Sequence, residues 1–343
     1  MEKALAAATT RPRCAGLGSW VVEKIILDCD PGHDDAIAIL LAAGNPDIDL
    51  LAVTTVAGNQ TLEKVTRNAL AVCAAGGITV PVAAGSAGPL VRTQYVAEDI
   101  HGDSGLDGPA LPTATTELDG RHAVDVIIDI IMSHEPGTVH LVPTGPLTNI
   151  ALAIRKEPRI VQRVKSVVLM GGAYTRGNVT AAAEFNIYVD PEAAEAVFAA
   201  DWDVTMVGLD LTHQATATPD VIEKIAAVGG PLATFVTDML GFFRSTYLER
   251  FGFPDPPVHD ACCVAKLIDP AVFTTRDAFV AVELTGTWTA GMTYTVFDPE
   301  LSVPDVREAA GRRRRTHVAT ELDKDRFWGL VIDALENLTA AKG

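Results

Sequence analysis

Residues 25–36 read Ile-Ile-Leu-Asp-Cys-Asp-Pro-Gly-His-Asp-Asp-Ala, and no other stretch of the chain restricts its fold so tightly. Asp28, Asp30, Asp34 and Asp35 place four carboxylates within eight residues. They lie between an apolar run that reads as a buried strand and another, Ala36 to Ala43, that reads as a buried helix stopped by Gly44. Pro31-Gly32 makes the tight turn, and a helix N-terminus favours the charges of Asp34 and Asp35. Acids held against such elements must protonate or meet a cation, because an uncompensated buried charge is costly. A hard divalent cation with oxygen ligands is the simplest partner.

Other origins for this segment fare worse. An EF-hand loop ends in a bidentate Glu at its twelfth position; counted from Asp28 that position is Ile39, and from Asp30 it is Leu41. A phosphotransferase with Asp28 or Asp30 as nucleophile also begins with acids after a strand, but it leaves Asp34 and Asp35 without a role. A merely solvated acidic turn conflicts with the wholly apolar flanks.

The 343 residues contain no linker-like composition over 21–339 and no internal repeat, so a single domain over 21–343 is expected. Residues 1–20, rich in Ala, Thr and Arg without periodicity, read as a disordered extension whose apolar stretch is too short for a secretion signal. A net charge of −17 argues against nucleic acid or phospholipid as partner, and no apolar run approaches the roughly 20 residues of a membrane span. Cysteines 14, 29, 73, 262 and 263 are odd in number and lack metal-site spacing, which fits reduced thiols in a cytoplasmic protein. Arg312 to Arg315 reads as a solvated turn.

Short β-branched runs alternate with helical patterns, which predicts an α/β fold: a mostly parallel central sheet with helices on both faces. Strands are predicted at Ile25–Leu27, Leu51–Thr55, Val139–Val142, Val167–Met170 and Val204–Val207. Each is followed by residues suited to a ligand: Asp30, Gly58-Asn59, Pro143-Thr144-Gly145, Gly171-Gly172, and Gly208 with Asp210. In parallel sheets ligands bind beyond the carboxyl ends of the strands. Polar insertions at Val96–Pro109, Asn178–Asp190 and Pro254–Val264 bring His101, Glu184, Asn186, His259 and Asp260 into consideration. Asp260, at a helix start, also suits a plain N-cap. A phosphate loop, a dinucleotide fingerprint, a nucleophile elbow and a His-Glu-x-x-His zinc motif are all lacking. What remains, an oxygen-ligated metal beside Asn, Glu and His, suits a neutral polyhydroxyl ligand such as a sugar.

These motifs, taken together, resemble the nucleoside hydrolases of the inosine–uridine type over residues 22–338. The resemblance rests on D-x-D-P-G-x-D-D at Asp28 to Asp35, Gly58-Asn59-Gln60, the run from Leu141 to Asn149, Met170-Gly171-Gly172, the run from Ala183 to Pro191, and His259-Asp260. It implies hydrolysis of the N-glycosidic bond of ribonucleosides in nucleoside salvage, by a homodimer or homotetramer. It further implies calcium (Ca²⁺) held by Asp30, Asp35, the backbone carbonyl of Thr144 and Asp260, with Asp30 taking the proton of the attacking water. Asp34 and Asn186 would hold the ribose 2′- and 3′-hydroxyls with Asn59 assisting, Asn178 and Glu184 the 5′-hydroxyl, and Phe185 would also bind substrate. His259, His101 and Tyr247 would approach the base. Phe243 stands where broad-specificity members carry the first of two tyrosines, which weakens the case for purine activation. Asp28 is expected to be structural, accepting backbone N–H bonds near the turn. His33 is expected to have no catalytic role, Asp190 to cap a helix, and His122, His134, His140 and His317 to serve ordinary structural purposes.

Overall fold

The computed structural model describes residues 22–298 and 303–342; the extension expected over 1–20, with Cys14, lies outside them. Ten strands are described: β1 (Glu23–Cys29), β2 (Ile48–Thr55), β3 (Val82–Ala84), β4 (Leu118–Asp119), β5 (Val139–Pro143), β6 (Val164–Met170), β7 (Val204–Val207), β8 (Phe273–Val282), β9 (Thr293–Val296) and β10 (Thr316–Leu322). They form one sheet in the order β4-β3-β2-β1-β5-β6-β7-β10-β8-β9. Every pairing from β4 to β10 is parallel, and β8 and β9 extend the far edge antiparallel.

Alternation along the strands sets the layers. Ile25, Leu27 and Cys29 of β1 enter one apolar core and Ile26 the other. In β6, Val168 and Met170 face the first core while Val167 and Leu169 face the second. That period of two, apolar on both sides, is what a sheet covered on both faces demands. The helices His33–Gly44, Ala261–Ile268 and Lys324–Ala341 cover the first face; Ala123–Ser133, Thr148–Lys156 and Pro191–Ala199 cover the second.

The helix His33–Gly44 is surrounded, as an all-apolar helix must be. Gly44 does not stop it by a left-handed turn, since its φ is not positive and Asn45 continues in extended backbone. Its smallness serves packing instead: a Cβ there would lie 2.4 Å from the Ala334 carbonyl oxygen of the helix Lys324–Ala341. The five strands predicted from apolar runs are present, whereas β3, β4 and β8–β10 were not anticipated. β8 opens Phe-Thr-Thr-Arg-Asp and is half exposed there; its second half, Ala278 to Val282, is an apolar and largely buried run that the strand candidates did not include. Among the described residues no helix is long and apolar enough to cross a membrane.

Candidate active site

Because β1, β2, β5, β6 and β7 are parallel, the residues that follow them gather at one edge of the sheet. Asp34 and Asp35 open the helix His33–Gly44, and Asp260 immediately precedes Ala261–Ile268. Carboxylate oxygens of these three buried residues lie within 4.8 Å of one another. Asp260 accepts no bond from the first turn of its own helix, so capping does not explain it. Asp35 is fixed by Thr144 Oγ1, which donates to its Oδ1 at 2.8 Å, and by the Gly32 N–H, which donates to Oδ2 at 3.1 Å. Asp34 Oδ1 is buried without a partner. Burial raises all three carboxyls, and for Asp34 and Asp260 the neighbouring acids raise them further.

Asp30 stands beside this trio rather than in it. Its Oδ2 accepts the Asn59 N–H at 2.6 Å, while Oδ1 is buried and unpartnered. Two glycines make room for it: a Cβ on Gly58 would lie 2.0 Å from Oδ2, and one on Gly145 2.6 Å from Oδ1. Burial, then the charge of Asp35, raises the Asp30 carboxyl well above its usual range. Asp28 is turned away from all of these. Its Oδ1 accepts from Thr54 Oγ1 at 2.6 Å and Asn149 Nδ2 at 2.8 Å, side-chain donors instead of the backbone N–H groups expected from the turn. Strand alternation is the reason, since Asp28 shares the parity of Ile26 and so points to the second core.

Asn186 Nδ2 donates to the carbonyls of Thr144 at 2.7 Å and Met170 at 3.1 Å. Glu184 caps the short helix Phe185–Val189, accepting from the N–H groups of Asn186 and Ile187 at 2.9 and 3.2 Å, and also accepts the Gly172 N–H at 2.9 Å. Burial pushes its carboxyl up to about 7 against the pull of those donors. Asn178 Oδ1 accepts the Phe185 N–H at 2.9 Å. With Asp34, Asn59, His101, Tyr247, His259 and Asp260, these groups line one cavity of about 300 Å³.

Elsewhere on the cavity wall, His259 is held at both nitrogens. Thr212 Oγ1 lies 2.7 Å from Nδ1, and the Tyr247 hydroxyl lies 3.0 Å from Nε2. Burial pushes His259 down to about 3, so its ring is neutral. Phe243, one turn before Tyr247 in the helix Gly230–Phe251, packs edge-on against it at 4.7 Å and stacks on His101 at 5.6 Å. The sequence singled out His259, Tyr247 and His101 but not Thr212, whose hydroxyl follows β7 like many unremarkable strand-end threonines. His213 lines an adjoining cavity of about 330 Å³, its ring 5.7 Å from that of His259. The remaining histidines are structural: His122 accepts the Val124 N–H as a helix cap, His134 contacts the Ile130 carbonyl, His140 bridges Ser166 and Glu23, and His317 meets Asp277. Asp190 caps Pro191–Ala199 through the Ala193 N–H.

A family model described as inosine-uridine preferring nucleoside hydrolase matches residues 25–329. Proteins of that description from Crithidia fasciculata and Leishmania major are 54% and 56% identical to this chain, over 92% of it and 98% of theirs. A pyrimidine-specific ribonucleoside hydrolase of Escherichia coli is 48% identical, over 90% of this chain and 95% of its own. Among solved structures, a purine-preferring ribonucleoside hydrolase from Gardnerella vaginalis superposes with a TM-score of 0.84 at 32% identity, covering 93% of this chain and 100% of that one. On its sequence, its sheet and its acid-lined cavity, this chain belongs to the nucleoside hydrolase family, in the group described as inosine–uridine preferring.

Proposed function

We propose that the protein hydrolyses the N-glycosidic bond of ribonucleosides, releasing ribose and free base for salvage, with calcium as cofactor and uridine handled at least as well as inosine. The observation that carries this is the buried trio Asp34, Asp35 and Asp260, two of which, Asp34 and Asp260, line a cavity that also presents Asn186 and Glu184. The all-oxygen donor set and the orphaned Oδ1 atoms of Asp30 and Asp34 fit a hard divalent cation. Asp30, Asp35, Asp260 and the Thr144 carbonyl would hold it; when bound, it would lower the pKa of a water and fix its position.

Asp30 is oriented for general-base work, with Oδ2 clamped by Asn59 and Oδ1 bare to take a proton from water attacking the anomeric carbon. Asp34 and Asn186, with Asn59, bind the 2′- and 3′-hydroxyls; Asn178 and Glu184 bind the 5′-hydroxyl beside Phe185. As the C–N bond breaks through an oxocarbenium-like transition state, its electron pair leaves on the base, which then needs a proton or strong hydrogen bond. His259, backed by Thr212 and joined to Tyr247, serves that end, and His101 also faces the base. A phosphotransferase that attacks through Asp28 is disfavoured, because that carboxyl points into the opposite core. A cytoplasmic location accords with the buried free thiols Cys29, Cys73, Cys262 and Cys263; a homodimer or homotetramer rests on the family resemblance, and light scattering would read the assembly.

Assaying ribose release from inosine, uridine and 2′-deoxyuridine tests the reading. A site that hydrogen-bonds a hydroxyl rejects the analogue lacking it by ~10⁴-fold or more, so uridine should be cleaved and deoxyuridine scarcely. Absence of ribose from both ribonucleosides would overturn the function, and equal kcat/KM for uridine and deoxyuridine would overturn the ribose assignments.

A further inference from the structure

The helix-start residue His33, given no role by the sequence, touches the cavity through another histidine. Its ring is fully buried and stacked on Phe243 at 4.9 Å and Phe242 at 5.4 Å. Its Nε2 lies 2.9 Å from the Asp107 carbonyl oxygen, and its Nδ1 lies 3.1 Å from His101 Nδ1. The loop closes on itself, because the Asp107 N–H donates back to the His101 carbonyl at 3.3 Å. Gly32 allows this approach: a Cβ there would lie 2.5 Å from His101 Nδ1.

The chemistry of these contacts assigns each proton. A carbonyl only accepts, so His33 Nε2 carries the hydrogen. The His33 ring is fully buried against the Phe242 and Phe243 rings, where an uncompensated charge is costly, so it carries one proton and Nδ1 is bare. The 3.1 Å contact is then a hydrogen bond only if His101 donates from its own Nδ1. The His33 backbone N–H also points at that nitrogen, but from 3.5 Å, the outer limit of a bond, and the shorter ring contact prevails. His101 Nε2 therefore bears a lone pair. Among the described residues no protein group binds that atom and it is not a buried orphan, so it opens on the cavity that the ring lines.

We propose that His33 is a positioning residue which locks His101 in the Nδ1–H tautomer, so that His101 Nε2 accepts a hydrogen bond from an N–H on the nucleobase edge, such as uracil N3–H or the cytosine amine. This rests on the proposed ribonucleoside hydrolysis for the identity of the ligand; the tautomer itself does not. Long-range ¹H–¹⁵N spectra of labelled full-length protein, with His101 assigned through His101→Asn, read which ring nitrogen carries the proton. The expected result is a protonated Nδ1 and a bare Nε2 in the wild type, lost in His33→Leu and retained in His33→Asn, whose Oδ1 keeps an acceptor facing His101. KM for uridine should rise about three- to ten-fold in His33→Leu, the worth of one neutral hydrogen bond, with kcat moving less and His33→Asn recovering it. A wild-type His101 protonated on Nε2, or a spectrum unchanged in His33→Leu, would overturn the proposal. Should the leucine variant fail to fold, the wild-type spectrum alone still decides. Loss of all ribose release with the tautomer pattern intact would refute the enzymatic reading instead.

Discussion

Asp30 has one oxygen held and one free, and at the scale of single residues the proposed mechanism gives it two duties, metal ligand and general base. Asp30→Asn keeps the shape and an oxygen while removing basicity. We expect normal folding and a kcat on uridine lower by ~10²–10⁴-fold, the usual contribution of general-base catalysis. A near-wild-type kcat with metal bound would mean the water's proton goes elsewhere. His259→Ala should slow inosine more than uridine, because a pyrimidine can spread charge onto its 2-carbonyl and depends less on a donor. If both substrates lose equally, His259 is only a wall of the pocket. These residues differ in how far the sequence exposes them. Asp30 is announced by its local motif, whereas the Thr212 partner of His259 lies 47 residues away in the chain and is brought up by β7.

Among the elements, the helix His33–Gly44 carries two site acids at one end and a close helix crossing at the other. Gly44→Ala would drive a methyl into the Ala334 carbonyl, an overpacking that typically costs about 1–3 kcal/mol. Thermal denaturation should show the loss while kcat at permissive temperature stays near wild type, since Gly44 lies at the far end from the acids. An unchanged midpoint would show that the two helices have slack. Gly44 was legible as a helix end because glycine breaks helical patterns, but its packing role was not, because the partner helix comes from the other end of the chain. Strands buried on both faces were legible as apolar runs. The β8–β10 edge was not: β9 and β10 mix polar and apolar residues much as a loop does, and β8 keeps its apolar run to its second half, behind a polar, half-exposed opening.

For the molecule as a whole, burying so many acids makes stability depend on pH and metal together. Asp28 and Glu184 have folded-state values near about 7, against 3.8 and 4.5 for the free groups. A carboxyl raised by folding contributes stability that is full below its unfolded value and lost as pH climbs through its folded one. Metal-free protein should therefore melt at falling temperature from about pH 5 to about pH 8. The exposed acids Asp119 and Glu157, held down to about 2 by their arginines, act below that window. Added calcium should oppose the fall increasingly as pH rises, by about 2.7 kcal/mol at a hundred-fold excess over its Kd. Melting curves with chelator and with calcium check this; a metal-free midpoint that rises with pH would contradict it. The sequence by itself determined the acidic turn between a buried strand and a buried helix, and the two-faced strands. Both depend on periods and neighbours within a few residues. Only the tertiary structure decided that Asp260 joins Asp34 and Asp35, that Gly58 and Gly145 make room for Asp30, and that His33 meets His101. Those meetings follow from the strand order and the helix crossings, which bring together residues that no local pattern relates.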